Sequence, residues 1–439
     1  MPGVLRNTNS FSGKRVLMKK INPEDIVEII GDRATIGIGN ACAEPQTLID
    51  TLIENNHGFK ALEIYGMIHY WTERFVQHHL GERFTLKVFM VDRFTLDGIQ
   101  KGYTQYIPCR YSDIPRLFLN GSIRLDVALI SLTPPNARGY CNFGVSSDFT
   151  MAMAQTAKTV IAEINHQMPW VYGNNVISIQ DVDYFLETER PLPQVHPEGI
   201  TERDRLIGGH VSTLIEDGAT IQIGLGRLSE AVLASLHEKR WLGVHSGLLS
   251  DGIVDLVKKG VIDNSRKGLK NGKIVTTTMI GTDKLYTFVH KNKSVEAYPA
   301  DYTHNQGTLA KLNKLHAINS AIQVDLTGQI NAETVEGIQV SGVGGQSDFV
   351  CGAALSKGGK SIIVIPSSST NGEKSRIVPW LGRGESITSL RHDIDYVVTE
   401  YGAAHLRGKI MRERARALID IADPKFRDWL ESERRRLYP

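Results

Sequence analysis

The chain has little of what would mark an unusual class. Its four cysteines, Cys42, Cys109, Cys141 and Cys351, are scattered over 439 residues. None forms a C-x-x-C pair, so neither a metal site nor a disulfide framework is legible, which fits a reducing, cytoplasmic setting. No apolar run approaches the roughly 20 residues that span a bilayer, so no membrane is expected as a partner. The net charge is only +2, which excludes the broad basic field of a nucleic-acid-binding protein. The start lacks a secretory apolar core. There Arg6, Lys14, Arg15, Lys19 and Lys20 precede the first acidic residue, Glu24, and read as a basic N-terminal arm.

What is present is a large globular composition. With 41% hydrophobic and 22% charged residues, the chain can bury a sizeable core and disorder is not the default. The length implies about two or three domains. Apolar strand-like runs alternate with helical patterns: "ATIGIG", "RLDVALISL", "TVIAEI", "ATIQIG", "KIVTTTMIG", "KSIIVIP" and "DYVVTEYG". Continuous apolar runs between helices predict an α/β fold with largely parallel sheets.

One internal repeat stands out. "EIIGDRATIGIGNA" resembles "TLIEDGATIQIGLGR", and each is followed by a helical pattern. This predicts two similar open α/β halves, residues 1–190 and 198–439, joined by a linker at 191–197 where Pro191, Pro193 and Pro197 cluster.

Four stretches are candidates for chemistry. In "IGLGRLSEAV", Gly224 and Gly226 end a strand and Ser229 is placed to cap the next helix. Backbone N–H groups at such a turn suit a phosphate or a developing oxyanion, although a plain strand–helix turn reads the same way. In "SGVGGQSDFVCGAALSKGGKS", Gly342, Gly344 and Gly345 bring backbone close to a ligand or another segment, and the basic "SKGGKS" would suit a phosphate tail. "LISLTPPNARGYCNFGVSSD" is a long loop at a strand end, where open α/β sheets bind ligands. "LRHDIDYVVTEYGAAHLRGK" gathers His392, Asp393, Asp395, Glu400, His405 and Arg407, but without a metal-ligand spacing. A structural Glu400–Arg407 ion pair is expected there instead.

Taken together, several segments resemble the acetyl-CoA hydrolase/transferase family, a class I CoA-transferase scaffold. They are "GIGNACAEPQTLIDTL", "SLTPPNARGYCNFGVS", "VIAEINHQMPWVYG", "SDGIVDLVKKGVIDNSRK", "SGVGGQSDFVCGAALSKGGKSIIVIPSSS" and "RHDIDYVVTEYGAAHLRGK". The 4-hydroxybutyrate and butyrate/acetate CoA-transferases look most similar. The resemblance implies two similar CoA-transferase domains with the active site between them. It implies CoA or acyl-CoA as substrate rather than a permanently bound cofactor, a small carboxylate as second partner, and a homo-oligomer. Gly226, Arg227, Leu228, Ser229 and Glu230 would form the CoA turn, with the Leu228 backbone N–H in the oxyanion hole. Ser341, Gly344 and Gly345 would form the opposing wall, and Asn319 would position the reacting group. Arg227, where the family more often has a small or neutral residue, would meet a phosphate or an acyl carboxylate. Thr370 stands where some relatives place a lysine near CoA.

One departure matters most. Family transferases carry a nucleophilic glutamate in a stretch H-[ST]-E, two hydrophobics, S-D-G. Here that stretch is His245-Ser246-Gly247-Leu248-Leu249-Ser250-Asp251-Gly252, with Gly247 in the glutamate position. The glutamate's task is covalent: it attacks the thioester, passes through an anhydride and carries CoA as a glutamyl thioester. Glycine can do none of this. Four readings stay open: a surrogate carboxylate from Glu44, Glu63 or Glu230; an acyl-CoA hydrolase using water; a non-catalytic acyl-CoA-binding protein; or a transferase silenced by substitution at this position.

Overall fold

Runs of aliphatic and β-branched residues become inner strands here because a parallel sheet covered on both faces buries every side chain. Val127–Leu132 is buried at all six positions. In the computed structural model, which describes residues 18–68, 70, 81 and 83–439, such strands build two large sheets. The first has eight strands, in the order Lys19–Lys20, Tyr184–Thr188, Thr159–Asn165, Val127–Leu132, Arg33–Ile38, Ala61–Gly66, Phe84–Val88 and Thr104–Tyr106. Every neighbouring pair in it is parallel. The second has six strands, in the order Gly243–Val244, Thr220–Ile223, Leu315–Ser320, Lys360–Val364, Tyr396–Thr399 and Gly402–His405. Only its last pair is antiparallel.

The α/β class with mostly parallel sheets is therefore as expected. Both repeat copies are inner strands, Arg33–Ile38 and Thr220–Ile223, each followed by a helix. After the first comes Gln46–Glu54, which buries Leu48, Ile49, Leu52 and Ile53 on one face. After the second comes Arg227–Ala234, burying Ala231, Val232 and Leu233. "KIVTTTMIG" departs from expectation. It divides into Ile274–Thr276 and Thr278–Met279, which pair in small side sheets rather than in the large ones.

The halves share one core. Ala41, Cys42, Val145, Met168 and Val171 pack into the same buried cluster as Ile221, Val244, Leu249 and Ile318. A strand from the first half, Tyr172–Gly173, pairs with Val295–Ala297 of the second. The residues 191–197 carry no regular secondary structure. Arg6, Lys14 and Arg15 of the basic arm lie outside the described residues, while Lys19 and Lys20 form the edge strand. The four cysteines are free thiols. No described helix is long and apolar enough to cross a membrane.

Candidate active site

The carboxyl ends of both sheets converge on one cleft of about 500 Å³. Just past the strand Ala61–Gly66 lie Met67 and Ile68, and just past Phe84–Val88 lies Met90. From the second sheet come Gly224 and Leu225 after Thr220–Ile223, and Ala321 after Leu315–Ser320. Ligands of open α/β sheets bind at such carboxyl ends, because loops there are free to vary and helix starts point inward.

Two helix starts border this region. Gly226 precedes Arg227–Ala234 and Gly345 precedes Gln346–Leu355, and neither helix has a side-chain cap. Their first backbone N–H groups lack intrahelical partners and favour an anion or a developing negative charge. Ser229 does not cap the helix. The helix begins two residues earlier, which puts Ser229 inside its first turn.

Of the expected site residues, Gly247, Asn319, Ser341, Gly344 and Gly345 line the cleft. Gly226 and Glu230 instead line a smaller cavity of about 170 Å³ on the far side of the same turn, together with Ser250, Asp251 and the linker's Val195 and His196. Leu225 faces both spaces. Leu228 packs against the shared core. Burial raises the Glu230 carboxyl above its ordinary range. Arg227 has a partner within the protein: its Nε lies 2.7 Å from Asp204 Oδ2, which is buried. The Asn319 amide is likewise engaged, exchanging hydrogen bonds of 3.0 and 3.2 Å with Gln222 across neighbouring strands.

The backbone at Gly247 is placed by its neighbours. The Ser246 hydroxyl donates to Ile223 O at 3.0 Å, and Gly247 O accepts Thr278 N–H at 3.1 Å. His245 is fully buried and its Nε2 lies 2.9 Å from Thr303 O. Burial, helped by nearby Lys267, lowers the His245 pKa to about 3. Gly247 lies outside the left-handed region, so a side chain there would meet no backbone strain.

What a side chain would meet is His304. A Cβ on Gly247 would stand 2.6 Å from His304 Nε2, and a Cβ on Gly345 would stand at the same 2.6 Å. The imidazole edge thus sits between the two glycines. Its ring is wedged edge-on against Tyr111 and Phe349, with centroids 4.7 Å away in both cases. Its Nδ1 lies 2.8 Å from the Thr303 hydroxyl. Burial lowers its pKa to about 3, so the ring is neutral near pH 7. His304 had no motif to announce it in the sequence; it arrives from "DYTHNQ", 57 residues beyond Gly247.

None of the three surrogate carboxylates reaches the cleft. Glu63 sits on the first sheet and pairs with Lys87 at 2.7 Å. Glu44 is buried and accepts Tyr70 N–H at 3.1 Å. Glu230 belongs to the smaller cavity. Among the described residues, no Asp, Glu, Lys or Arg lines the cleft.

Three other expectations are corrected. Lys360 of "SKGGKS" binds Leu214 O and Glu216 at 2.9 and 2.8 Å, at the start of its strand and so at the opposite end from the cleft. The segment holding Pro134 and Pro135 does not line the cleft: it turns into the short strand Tyr140–Asn142, and only its far end, past that strand, meets the second half. Its Asp148 is buried, bonded to Asn40 and Ser146 at 2.7 Å, and its backbone accepts Ala300 N–H. Glu400 and Arg407 do not pair. The Tyr396↔His405 register sets Arg407 beside Asp395, while Glu400 accepts Ser367 N–H and O–H at 2.9 and 2.8 Å. Among the described residues, no group of three or more His, Cys, Asp or Glu is set to hold a metal.

A doubly parallel α/β molecule with a cleft of helix starts and glycine turns belongs to a class with known members. Residues 11–196 match the acetyl-CoA hydrolase/transferase N-terminal domain and residues 281–434 match its C-terminal domain. The chain belongs to that family, one of CoA-transferase enzymes. It is 44% identical over 415 residues to the 4-hydroxybutyrate coenzyme A transferase of Clostridium kluyveri, covering 94% of this chain and 97% of that protein. It is 33% identical over 431 residues to the butyryl-CoA:acetate CoA-transferase of Anaerostipes caccae, covering 96% and 97%. The solved 4-hydroxybutyrate CoA-transferase of Porphyromonas gingivalis superposes with a TM-score of 0.80 at 34% identity, covering 96% and 98%.

Proposed function

We propose that this chain is an acyl-CoA:carboxylate CoA-transferase of the 4-hydroxybutyrate/acetate type that works without the family glutamate. The observation that carries the reading is the cleft at the meeting of two sets of strand ends, with Gly247 and Gly345 facing each other across His304. The thioester of the acyl-CoA lies in this cleft, and CoA is a substrate rather than a resident cofactor. The CoA arm passes along the Gly226–Glu230 turn, where the Leu228 N–H meets the oxyanion of the tetrahedral species. Ser341, Gly344 and Gly345 form the opposite wall, and Asn319, steadied by Gln222, positions the reacting carbonyl. The cleft's apolar lining of Met67, Ile68 and Met90 suits a short acyl chain. The phosphates of CoA lie at its mouth, since no described cationic side chain lines the interior. The boundary at residues 191–197, homo-oligomeric assembly and cytoplasmic location belong to the same proposal.

The test is a panel of short acyl-CoAs, each incubated with and without acetate, butyrate or 4-hydroxybutyrate and followed by mass spectrometry. Formation of the acceptor's CoA ester is expected. CoA release that ignores the acceptor would make the protein a hydrolase. CoA binding by calorimetry with no turnover would make it a binding protein.

A further inference from the structure

The cleft presents a chemical problem. In a CoA-transferase a carboxylate must attack the thioester, yet none of the described residues lining this cleft carries one. The acceptor acid is itself a carboxylate. It needs only to be held against the thioester in the orientation that an enzyme side chain would otherwise provide.

We infer that His304 Nε2 holds the acceptor carboxylate in this cleft, so that the acid, rather than an enzyme glutamate, attacks the acyl-CoA. The inference rests on the transferase reading above. Three observations carry it. The Nε2 atom reaches to 2.6 Å from the Cβ positions of both Gly247 and Gly345, the point from which a side chain at 247 would start. The ring cannot easily turn away, being packed between Tyr111 and Phe349 and tied through Nδ1 to Thr303. Apart from Tyr111, whose hydroxyl lies 3.4 Å from Thr278 Oγ1, His304 is the one titratable side chain among the described residues that line the cleft. The tautomer this uses has the Thr303 hydroxyl donating to Nδ1 at 2.8 Å rather than to Pro299 O at 3.4 Å, so that the proton sits on Nε2, which then offers an N–H to an anion. A neutral donor suits this task, because it binds the carboxylate without forming an ion pair that would quench its attack.

The reaction balances without an enzyme nucleophile. A carboxylate oxygen of the acceptor bonds to the thioester carbon, the C–S bond breaks, and CoA leaves as thiolate. A mixed anhydride of the two acids remains. The thiolate attacks the acceptor-derived carbonyl carbon, the C–O bond to the bridging oxygen breaks, and the donor acid leaves as carboxylate. One negative charge enters and one leaves, and no proton is consumed.

The experiment uses the full chain with butyryl-CoA and acetate. Initial rates at several fixed acetate concentrations should give intersecting reciprocal lines, the pattern of a ternary complex. Butyryl-CoA alone should release no stoichiometric burst of butyrate and leave no CoA adduct on the protein by mass spectrometry. His304→Leu should raise the KM for acetate at least tenfold while the KM for butyryl-CoA stays within about twofold, and His304→Gln, which keeps an N–H, should recover part of the loss. Circular dichroism checks that both variants fold. Parallel lines, a CoA adduct on a glutamate, or an unchanged acetate KM in a folded His304→Leu protein would overturn the inference while leaving the transferase reading intact. No formation of the acceptor's CoA ester by the unaltered chain with acetate or any other acid of the panel would overturn both.

Discussion

Among the described residues, the first half sends Met67, Ile68, Met90 and Tyr111 into the cleft, whereas the second sends two glycine-rich turns, the Gln222–Asn319 amide pair and His304. Both halves begin from the same repeated strand–turn–helix. In the first copy the turn after Arg33–Ile38 is absorbed into the shared core through Ala41, Cys42 and Ala43. In the second copy the turn after Thr220–Ile223 stays open, with Leu225, Gly226 and Arg227 exposed. A repeated topology thus yields a wall on one side and hydrogen-bonding equipment on the other. What separates them is which turn the core covers.

The sharpest way to break this contrast is at the equipped side. Gly345→Val places a branched side chain where Cβ alone meets His304 at 2.6 Å. Overpacking of this kind costs about 1–3 kcal/mol and shifts the ring or the helix start. We expect CoA affinity to fall at least tenfold by calorimetry, with a lowered thermal midpoint and an unchanged far-ultraviolet spectrum. Normal CoA affinity in the folded variant would remove this wall from the site.

Gly247→Glu tests whether the intact neighbourhood alone restores ping-pong transfer, as the sequence suggests. The obstacle is steric rather than conformational, since Gly247 lies outside the left-handed region and its Cβ would meet His304 at 2.6 Å. The single variant should show less than about a tenth of the glutamyl-CoA adduct formed by Gly247→Glu/His304→Ala, for an overpacking cost of about 1–3 kcal/mol. Equal adduct in the two would show that His304 moves aside freely.

A third effect also favours the second half. His245, His304 and His316 are held near pKa values of about 3, 3 and 4, chiefly by burial, against an ordinary 6.5. Between these values the unfolded chain binds more protons than the folded one. Stability from these groups is therefore complete above about pH 6.5 and falls as the pH drops towards 4, by about 1.4 kcal/mol per pH unit for each proton taken up. Denaturant titrations from pH 7 to 4 should show this decline. His316→Leu, away from the cleft, should make the decline shallower by one histidine's share without changing transfer.

The smallest effect belongs to the first half. Glu63→Gln breaks a half-exposed ion pair with Lys87 on the outer part of the sheet. Such pairs contribute about 0–1 kcal/mol. Transfer rates should be unchanged; a loss above about tenfold would return Glu63 to the list of nucleophiles.

Much of the fold was legible because its signals are local. Six of the seven apolar runs became strands of the two large sheets, since a continuous run of β-branched and aliphatic residues satisfies a doubly covered sheet wherever it lies, while "KIVTTTMIG" divided between small side sheets. The glycine at 247 was legible for the same reason: it stands inside a short, recognisable stretch. Partner choice was not. Arg407 and Glu400 are close in the chain, but a hairpin register gives one to Asp395 and the other to Ser367. Arg227 looked free for a ligand until the helix Glu202–Leu214 brought Asp204 against it.

By itself, then, the sequence determined the α/β class, the duplicated strand–turn–helix and the missing carboxylate, because each is written in short stretches of chain that carry their signal locally. The tertiary structure alone decided what stands in the carboxylate's place. The short helix Ala300–Thr303 ends at His304, just ahead of the strand Leu315–Ser320 that pairs with Thr220–Ile223. That packing carries an imidazole to a glycine 57 positions earlier, a contact that no periodicity encodes.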